Sequence, residues 1–251
     1  MNIILVQAKE IQGNCVHLCD HRAEHIVKVL RADVGTRVKV GCIDGPLGTG
    51  DIVSINKKYP FQVELKVDLF DNQRPEAHLD LILALPRPIM LKRILSQVTA
   101  LGVGTIHLVN AKRVEKSFWG ASILEPMEYR KHLLQGLEQA VDSRVPRVVI
   151  HEKFKPFIED FLPTIIRDYA SRICAHPTGD MKLGEVITPK KGRVLLAIGP
   201  EGGWVDYEVE KFQDQQFSCC TIGDRILKVD TAVIALHSQI TALRDILPIE
   251  M

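Results

Sequence analysis

The sequence has no long hydrophobic run and almost no net charge. None of its apolar stretches approaches the roughly 20 residues needed to span a membrane. Its first residues, MNIILVQAKE, lack the basic region and the small-residue cleavage site of a signal peptide. We therefore expect a cytoplasmic location. The formal net charge of +1 gives no general attraction to nucleic acid or membranes, so any such partner must be bound by a local patch.

Cysteine pairs with the spacing of a zinc site are also missing. The six cysteines are scattered, and only Cys15, His17 and Cys19 cluster, without a second ligand pair. We predict that no metal is bound. The chain has 251 residues, of which 46% are hydrophobic and 25% charged, and this composition is that of a globular protein large enough for two domains.

Residues 1–72 have the pattern of a small β-rich domain. The stretch QVELKVDL alternates polar and apolar residues, which predicts a strand with one buried face formed by Val63, Leu65, Val67 and Leu69. The stretch RVKVGCIDGPLGTGDIVSI predicts two further strands around a turn at Asp44-Gly45. Several short strands with one helix indicate a β-barrel-like module.

The single helix of this module is predicted within DHRAEHIVKVLRADVG. Asp20 is a suitable N-cap, and Gly35 supplies a stop. We expect Ile26, Val29 and Leu30 to share its buried stripe.

The polar stretch DNQRPEAH, residues 71–78, marks a change of pattern, and we place a domain boundary there, between residues 72 and 73. Beyond it, the apolar strands LDLILAL, TIHLVN, RVVIH, SRICA, RVLLAI and SCCTIG alternate with helices near 88–101, 125–141, 154–170, 205–213 and 231–246. Strands that are apolar throughout, separated by helices, predict an α/β domain whose parallel sheet is covered on both faces.

Two glycine-containing loops follow strands of this sheet, where ligands of open α/β folds bind. They are IGPEGG, residues 198–203, and IGDRILKVDTA, residues 222–232. The first presents Glu201 where a phosphate-binding loop has lysine, and the dinucleotide fingerprint G-x-G-x-x-G is absent. The loops favour a ligand that is neutral or positively charged near the carboxylate. The alternative is a tight turn that only packs a helix on its strand.

As a pair, these loops closely resemble the C-terminal motifs of the RsmE family of ribosomal RNA methyltransferases, in the SPOUT superfamily. HIVKVLRADVG, LKRILSQVTALGV and EQAVDSRVP extend the resemblance over nearly the whole chain. It implies a PUA-like RNA-binding domain, then a methyltransferase domain with a C-terminal trefoil knot. It also implies S-adenosylmethionine as methyl donor, N3 of a uridine in 16S ribosomal RNA as acceptor, and a homodimer without a metal.

The resemblance also assigns residues to the cofactor pocket. One wall would come from Ile198, Gly199, Pro200 and Gly203, the opposite wall from Ile222, Gly223, Ile226 and Leu227, and the remainder from the loop with His176 and Pro177.

The chain departs from the family pattern near its end. Lys228 stands where the family usually has arginine, and Asp230 where it usually has glutamate. We expect Lys228 to stabilise the negative charge that develops on the uracil oxygens. The proton on uracil N3 would be removed by Asp230, Glu201 or water. The simpler alternatives are a solvated ion pair and a carboxylate favoured by a helix N-terminus. Three further replacements, at Ala100, Val141 and Asp142, leave the target less certain than the cofactor.

Contacts to RNA must come from local clusters. One candidate is the helix face with Arg22, His25, Lys28 and Arg31. The other is the span 86–117, where six Lys/Arg, among them Arg87, Lys92 and Arg113, oppose one acid. A solvated charged face would explain either cluster as well. Two functional alternatives stay open: an RNA-binding ribosome-assembly protein without transfer activity, and a SPOUT methyltransferase with another RNA target.

Overall fold

The computed structural model describes residues 1–70, 76–187 and 192–246. The chain divides into two compact units, the first comprising Met1–Pro75 with Leu133–Val145, and the second Glu76–His132 with Pro146–Met251. The boundary predicted within residues 71–78 falls largely on residues 71–75, outside the described residues, and stays a prediction. No helix in the described ranges is long and apolar enough to cross a membrane.

The first unit is built on a six-stranded curled sheet in the order β1-β4-β5-β6-β3-β2. Its strands are β1 (Ile4–Val6), β2 (Ile11–Gln12), β3 (Cys15–Leu18), β4 (Arg37–Cys42), β5 (Leu47–Asn56) and β6 (Gln62–Phe70). All neighbours pair antiparallel except β1 and β4. The predicted alternation in β6 is confirmed for Val63, Leu65 and Val67, which are buried, whereas Leu69 is half-buried. The turn predicted between β4 and β5 is present, with Asp44 at φ 57°.

Helix α1 (His21–Lys28) begins as predicted and ends earlier than expected. The Asp20 carboxylate accepts the Arg22 backbone N–H at 2.9 Å, which confirms the N-cap. Ile26 is buried, but Val29 and Leu30 are 64% and 46% exposed, so the buried stripe predicted for them is wrong. The chain leaves the helix after Lys28 and reverses at Arg31, whose φ is 51°. This turn carries Val29 and Leu30 away from the core.

The second unit contains a seven-stranded sheet in the order β11-β13-β10-β12-β7-β8-β9, and its neighbouring strands pair in parallel throughout the described residues. The predicted parallel α/β sheet is thereby confirmed. Its strands are β7 (Leu79–Ala84), β8 (Thr105–Val109), β9 (Arg147–His151), β10 (Tyr169–Ala175), β11 (Met181–Lys182), β12 (Arg193–Ile198) and β13 (Ser218–Thr221).

The remaining helices follow these strands. They are α2 (Pro88–Ala100), α3 (Pro126–Ala140), α4 (Phe154–Pro156), α5 (Leu162–Ile165), α6 (Leu183–Val186), α7 (Asp206–Asp214) and α8 (Val229–Ile246). Residues of α3 from Leu133 onward belong to the first unit, where Leu137 packs with Ile3, Leu5 and Leu47.

The helix predicted over 154–170 is instead a series of short turns. A π-helical segment, Phe157–Phe161, lies between α4 and α5, and a 3₁₀ turn, Ile166–Asp168, precedes β10. Pro156 and Pro163 interrupt regular hydrogen bonding because proline has no backbone N–H. Phe157, Ile158 and Leu162 are nevertheless fully buried, so the apolar pattern reflects core packing rather than one long helix.

Candidate functional site

Three loops at the carboxyl ends of adjacent strands line one cavity in the second unit. β13, β10 and β12 are neighbours and parallel, so the segments that follow them leave the sheet at the same edge. The cavity has a volume of about 360 Å³, within the range typical of small-molecule sites. Its walls come from residues 175–178, 198–203, 220–223 and 225–227, with Arg113 and residues 229, 232 and 236 completing them.

All ten residues that the sequence assigns to a cofactor pocket lie around this cavity. The parallel sheet brings together loops that are far apart in the chain. Their role in binding a cofactor stays a prediction.

The loop after β12 needs its glycines for two different reasons. A Cβ on Gly199 would lie 3.0 Å from the backbone nitrogen of Trp204 and 3.2 Å from Cδ1 of its buried indole, so a side chain there would press on Trp204. Gly203 has φ 75°, a conformation that favours glycine, and its N–H donates to the Pro200 carbonyl at 2.7 Å. A Cβ on Gly203 would lie 3.8 Å from Nη1 of Arg113, so a larger side chain would enter the cavity beside that guanidinium.

The loop after β10 lies directly against β13. The His176 N–H donates to the Cys220 carbonyl at 3.0 Å, and the His176 carbonyl accepts the Gly179 N–H at 3.0 Å. A Cβ on Gly179 would lie 2.5 Å from the carbonyl carbon of Cys220, so only glycine permits this approach. The imidazole of His176 is within 2.9 Å of the Thr178 hydroxyl.

The loop after β13 exposes apolar side chains at the cavity. Gly223 has φ 135°, and Ile226 is 84% exposed although it lines the cavity. Val229, Ala232 and Leu236 of α8 add apolar surface. An apolar wall of this kind suits an aromatic ring or another flat apolar group.

Cys220 also lines the cavity, and its chemistry there is limited. The side chain is 1% exposed, and burial raises the pKa of its thiol to about 12. It therefore stays a neutral thiol at physiological pH and is unsuited to act as a nucleophile.

Arg113 lines the cavity, although the sequence predicts it as an RNA contact. It follows β8, and its guanidinium Nη1 donates a hydrogen bond to the Gly202 carbonyl. A Cβ on Gly202 would lie 2.9 Å from Cδ of Arg113, so the arginine packs directly on the loop after β12. The geometry therefore places a cation at the cavity wall, beside the loop that also carries Glu201.

Glu208 holds the segment beside Arg113, and the sequence analysis did not identify it. This carboxylate is 2% exposed and accepts the Lys112 N–H at 2.7 Å and the Val205 N–H at 2.9 Å. It joins the segment after β8 to the start of α7. The acidic residue in the first turn after EGGW was the available signal, because such carboxylates cap helix N-termini.

The three candidate catalytic residues occupy different environments. Glu201 is exposed, lines the cavity, and accepts the Arg87 N–H at 3.3 Å. Asp230 is 8% exposed, and its carboxylate accepts the Thr231 N–H at 3.0 Å and lies 3.8 Å from Nη2 of Arg93. Lys228 is exposed immediately before α8, between two residues that line the cavity.

The side chains predicted to contact RNA differ in whether their charges are already paired within the protein. In the first unit, the half-buried Arg22 donates to Glu10 at 2.6 Å, to Asp20 at 2.8 Å and to the Leu5 carbonyl at 2.8 Å. His25 is half-buried, and burial lowers its pKa. Lys28 pairs with Glu24 at 2.7 Å.

The other predicted RNA contacts are exposed. Arg31 follows α1, and Arg87 and Lys92 lie at the start of α2, while Arg113 is at the cavity. These RNA roles stay predictions.

Among the described residues, no group of three or more His, Cys, Asp or Glu side chains could hold a metal ion.

Comparison with known proteins gives consistent results for the two parts of the chain. The RNA methyltransferase domain family matches residues 72–241, and the RNA methyltransferase PUA domain family matches residues 18–64. A protein of Treponema pallidum named ribosomal RNA small subunit methyltransferase E is 31% identical over 245 residues, covering 96% of this chain and 91% of the relative. The Bacillus subtilis protein of the same name is 26% identical, covering 89% and 88%.

Solved structures share the fold over nearly the full length. Ribosomal RNA small subunit methyltransferase E from Neisseria gonorrhoeae, bound to S-adenosyl methionine, superposes with a TM-score of 0.79 at 21% identity, covering 97% of this chain and 98% of that one. A methyltransferase from Legionella pneumophila in complex with the same cofactor has a TM-score of 0.75 at 21% identity, covering 96% and 97%.

Proposed function

The chain belongs to the ribosomal RNA small subunit methyltransferase E family, and from that premise we propose that it methylates N3 of a uridine in 16S ribosomal RNA with S-adenosylmethionine as donor. The observation that carries the proposal is the cavity shared by the loops after β10, β12 and β13. We also infer that this activity takes place in the cytoplasm, on small-subunit RNA within an assembled or assembling particle.

The cavity residues fit this cofactor chemically. S-adenosylmethionine has an adenine ring, a cationic sulfonium, an ammonium and a carboxylate, but no phosphate. Ile198, Ile222 and Leu227 offer apolar contact to the ring, and Gly203 leaves space that a side chain would fill. Glu201 provides negative charge for the cationic groups, and Arg113 positive charge for the carboxylate. When bound, the cofactor supplies an activated methyl group on sulfur.

Acceptor chemistry then requires a proton to leave the uracil N3 and negative charge to be stabilised on the uracil oxygens. Glu201 would accept the N3 proton, because its carboxylate is exposed and lines the cavity. Asp230 is buried and engaged by Thr231 and Arg93, so we assign it to positioning Arg93 and the start of α8. Lys228 is the exposed cation that would stabilise the developing charge.

The two parts of the chain would divide this work. Residues 1–72 would contact RNA as a PUA-like domain, and residues 73–251 would bind cofactor and transfer the methyl group. We further propose that the second domain contains the trefoil knot implied by the family resemblance and forms the interface of a homodimer.

The decisive experiment is transfer from tritiated S-adenosylmethionine to small ribosomal subunits of a strain lacking the gene, followed by mass mapping of the methylated nucleotide. We expect one N3-methyluridine in 16S RNA. Glu201→Gln should lower turnover by a larger factor than it lowers cofactor affinity, because this carboxylate is assigned both to the N3 proton and to the cationic groups of the cofactor. Glu210→Gln is the matched control, because Glu210 is an exposed glutamate of α7 that does not line the cavity. Methylation at a ribose hydroxyl, in transfer RNA, or nowhere would overturn the proposal.

A further inference from the structure

One surface of the first unit combines exposed apolar side chains with cations. It consists of residues 28–34, at and after the end of α1, and residues 57–61, the turn between β5 and β6, and we call these two segments the hairpin patch. Two contacts join the segments. Lys57 forms an ion pair with Asp33, and Nζ of Lys28 lies 5.0 Å from the centre of the Phe61 ring.

The hairpin patch holds most of the exposed large hydrophobic side chains of its unit. In the described part of the first unit, six such side chains are exposed, and four of them lie here: Val29 at 64%, Leu30 at 46%, Val34 at 60% and Tyr59 at 87%. Single exposed apolar residues are ordinary, but a concentration on one surface is typical of an interaction site.

The Tyr59 ring is held by an ordered turn. It packs edge-to-face on Phe61, with ring centres 6.0 Å apart and an angle of 88° between the planes. Asn56 secures the turn, because its side chain donates to the Pro60 carbonyl at 3.1 Å and accepts the Lys58 N–H at 3.1 Å. At 87% exposure, the ring presents a face for stacking.

The charge of the hairpin patch favours an anionic partner. Its four cations, Lys28, Arg31, Lys57 and Lys58, outnumber the two neighbouring carboxylates, Glu24 and Asp33. Both carboxylates are engaged by lysines, Glu24 by Lys28 and Asp33 by Lys57. In the described part of the chain, Arg31 and Lys58 form no ion pair, so their charges face solvent.

We infer that the hairpin patch binds a single-stranded segment of the RNA substrate, with a base stacked on Tyr59 and the adjacent phosphates contacted by Arg31 and Lys58. Exposed aromatic rings flanked by cations are the means by which proteins bind single strands without reading their sequence. Val29, Leu30 and Val34 add apolar surface to the same platform. The inference rests on the proposed function, since that function supplies RNA as the partner, and it extends the predicted contacts at Lys28 and Arg31 to the aromatic turn.

The test is fluorescence anisotropy with a labelled single-stranded oligoribonucleotide of about 12 nucleotides, a length within the usual site sizes of single-strand binders. Tyr59→Ala should weaken binding roughly tenfold with an unchanged salt dependence, because stacking displaces no counterions. Tyr59→Phe should keep the affinity. Tyr207→Ala is the matched control, because Tyr207 is 47% exposed and also has a lysine, Lys211, 5.9 Å from its ring centre.

Alanine at Arg31 or Lys58 should instead reduce the slope of log affinity against log salt by about 0.7 each, the value for one phosphate of a single strand. Circular dichroism checks folding, and Tyr59→Trp gives an independent measurement, because a stacked base should quench its fluorescence.

Methyl transfer by the unaltered protein is measured in parallel. If that transfer fails but Tyr59→Ala still weakens RNA binding, the proposed function is wrong and the RNA-binding role of the hairpin patch is supported. Unchanged RNA affinity in Tyr59→Ala, or a change in sedimentation without a change in RNA affinity, would overturn the inference.

Discussion

Arg113 donates a hydrogen bond to the carbonyl of Gly202, a residue 89 positions later in the chain, and thereby closes one wall of the cavity. Arg113→Ala should therefore weaken binding of S-adenosylmethionine by roughly ten- to a hundredfold, the effect expected for one charge-assisted hydrogen bond. Calorimetry measures this directly. Arg87→Ala is the control, because Arg87 is exposed and does not line the cavity.

The same Arg113 variant tests the RNA contact that the sequence predicts for this residue. If Arg113 contacts an RNA phosphate instead, its replacement should lower the salt dependence of RNA binding and leave cofactor affinity unchanged.

Gly203→Val should abolish cofactor binding while the fold persists. The added side chain would project from a backbone at φ 75° into the space beside Arg113. Gly102→Val controls for backbone strain, because Gly102 has φ 81° and a Cβ there would meet nothing within 4 Å. Both variants should lose similar stability in thermal unfolding, but the cofactor should stabilise only Gly102→Val. Normal affinity in a folded Gly203→Val protein would contradict the pocket assignment.

Lys228→Met should lower turnover on the order of a hundredfold or more, by analogy with loss of one oxyanion-stabilising donor. Its ammonium would act mainly as charge develops, so cofactor affinity should change little. Lys228→Arg should retain activity, since it restores the residue usual in the family motif. Single-turnover methylation and calorimetry, run together, decide this: equal losses in both would make Lys228 part of the pocket wall, and no loss in either would remove it from the mechanism.

Acid should destabilise the second unit through His107. Burial, with a smaller effect of the His151 charge, lowers the pKa of His107 to about 4. The unfolded state then takes up a proton near pH 6.5 that the folded state does not, so the free energy of unfolding falls as pH drops from about 6.5 to about 4. The full loss is about 3 kcal/mol.

Urea unfolding at several pH values measures this loss. His107→Phe should reduce the dependence, because phenylalanine fills the same aromatic cluster with Phe157 and Phe161 without titrating. Part of the dependence should remain, because burial also lowers the pKa of His237 to about 4. An equal pH dependence in His107→Phe and the unaltered protein would contradict the assignment.

Much of the second unit follows from local sequence patterns. Continuous apolar segments correctly predicted six strands of its sheet, and the glycine-rich loops lie at the cavity as expected. Both signals are local: an apolar run is buried wherever it packs, and a glycine at positive φ, such as Gly203, is required by the loop itself.

The periodicity of apolar residues gave wrong predictions of burial and helix length where the chain turns or where prolines interrupt a helix. Val29 and Leu30 continue an apolar stripe in sequence, yet the reversal at Arg31 exposes them. Likewise, the helical rhythm over 154–170 is broken into short turns around prolines.

The sequence by itself determined six strands of the parallel sheet, the family resemblance and the loops that line the cavity, because each depends on a contiguous stretch of residues. Only the tertiary structure decided that Arg113 faces the cavity, that Glu208 holds the segment beside it, and that the turn carrying Tyr59 and Phe61 lies beside the end of α1. These relationships depend on which segments become neighbours across the fold. The sequence does not distinguish a charged or aromatic residue that lies at a pocket wall from one that is in a buried hydrogen bond or exposed to solvent.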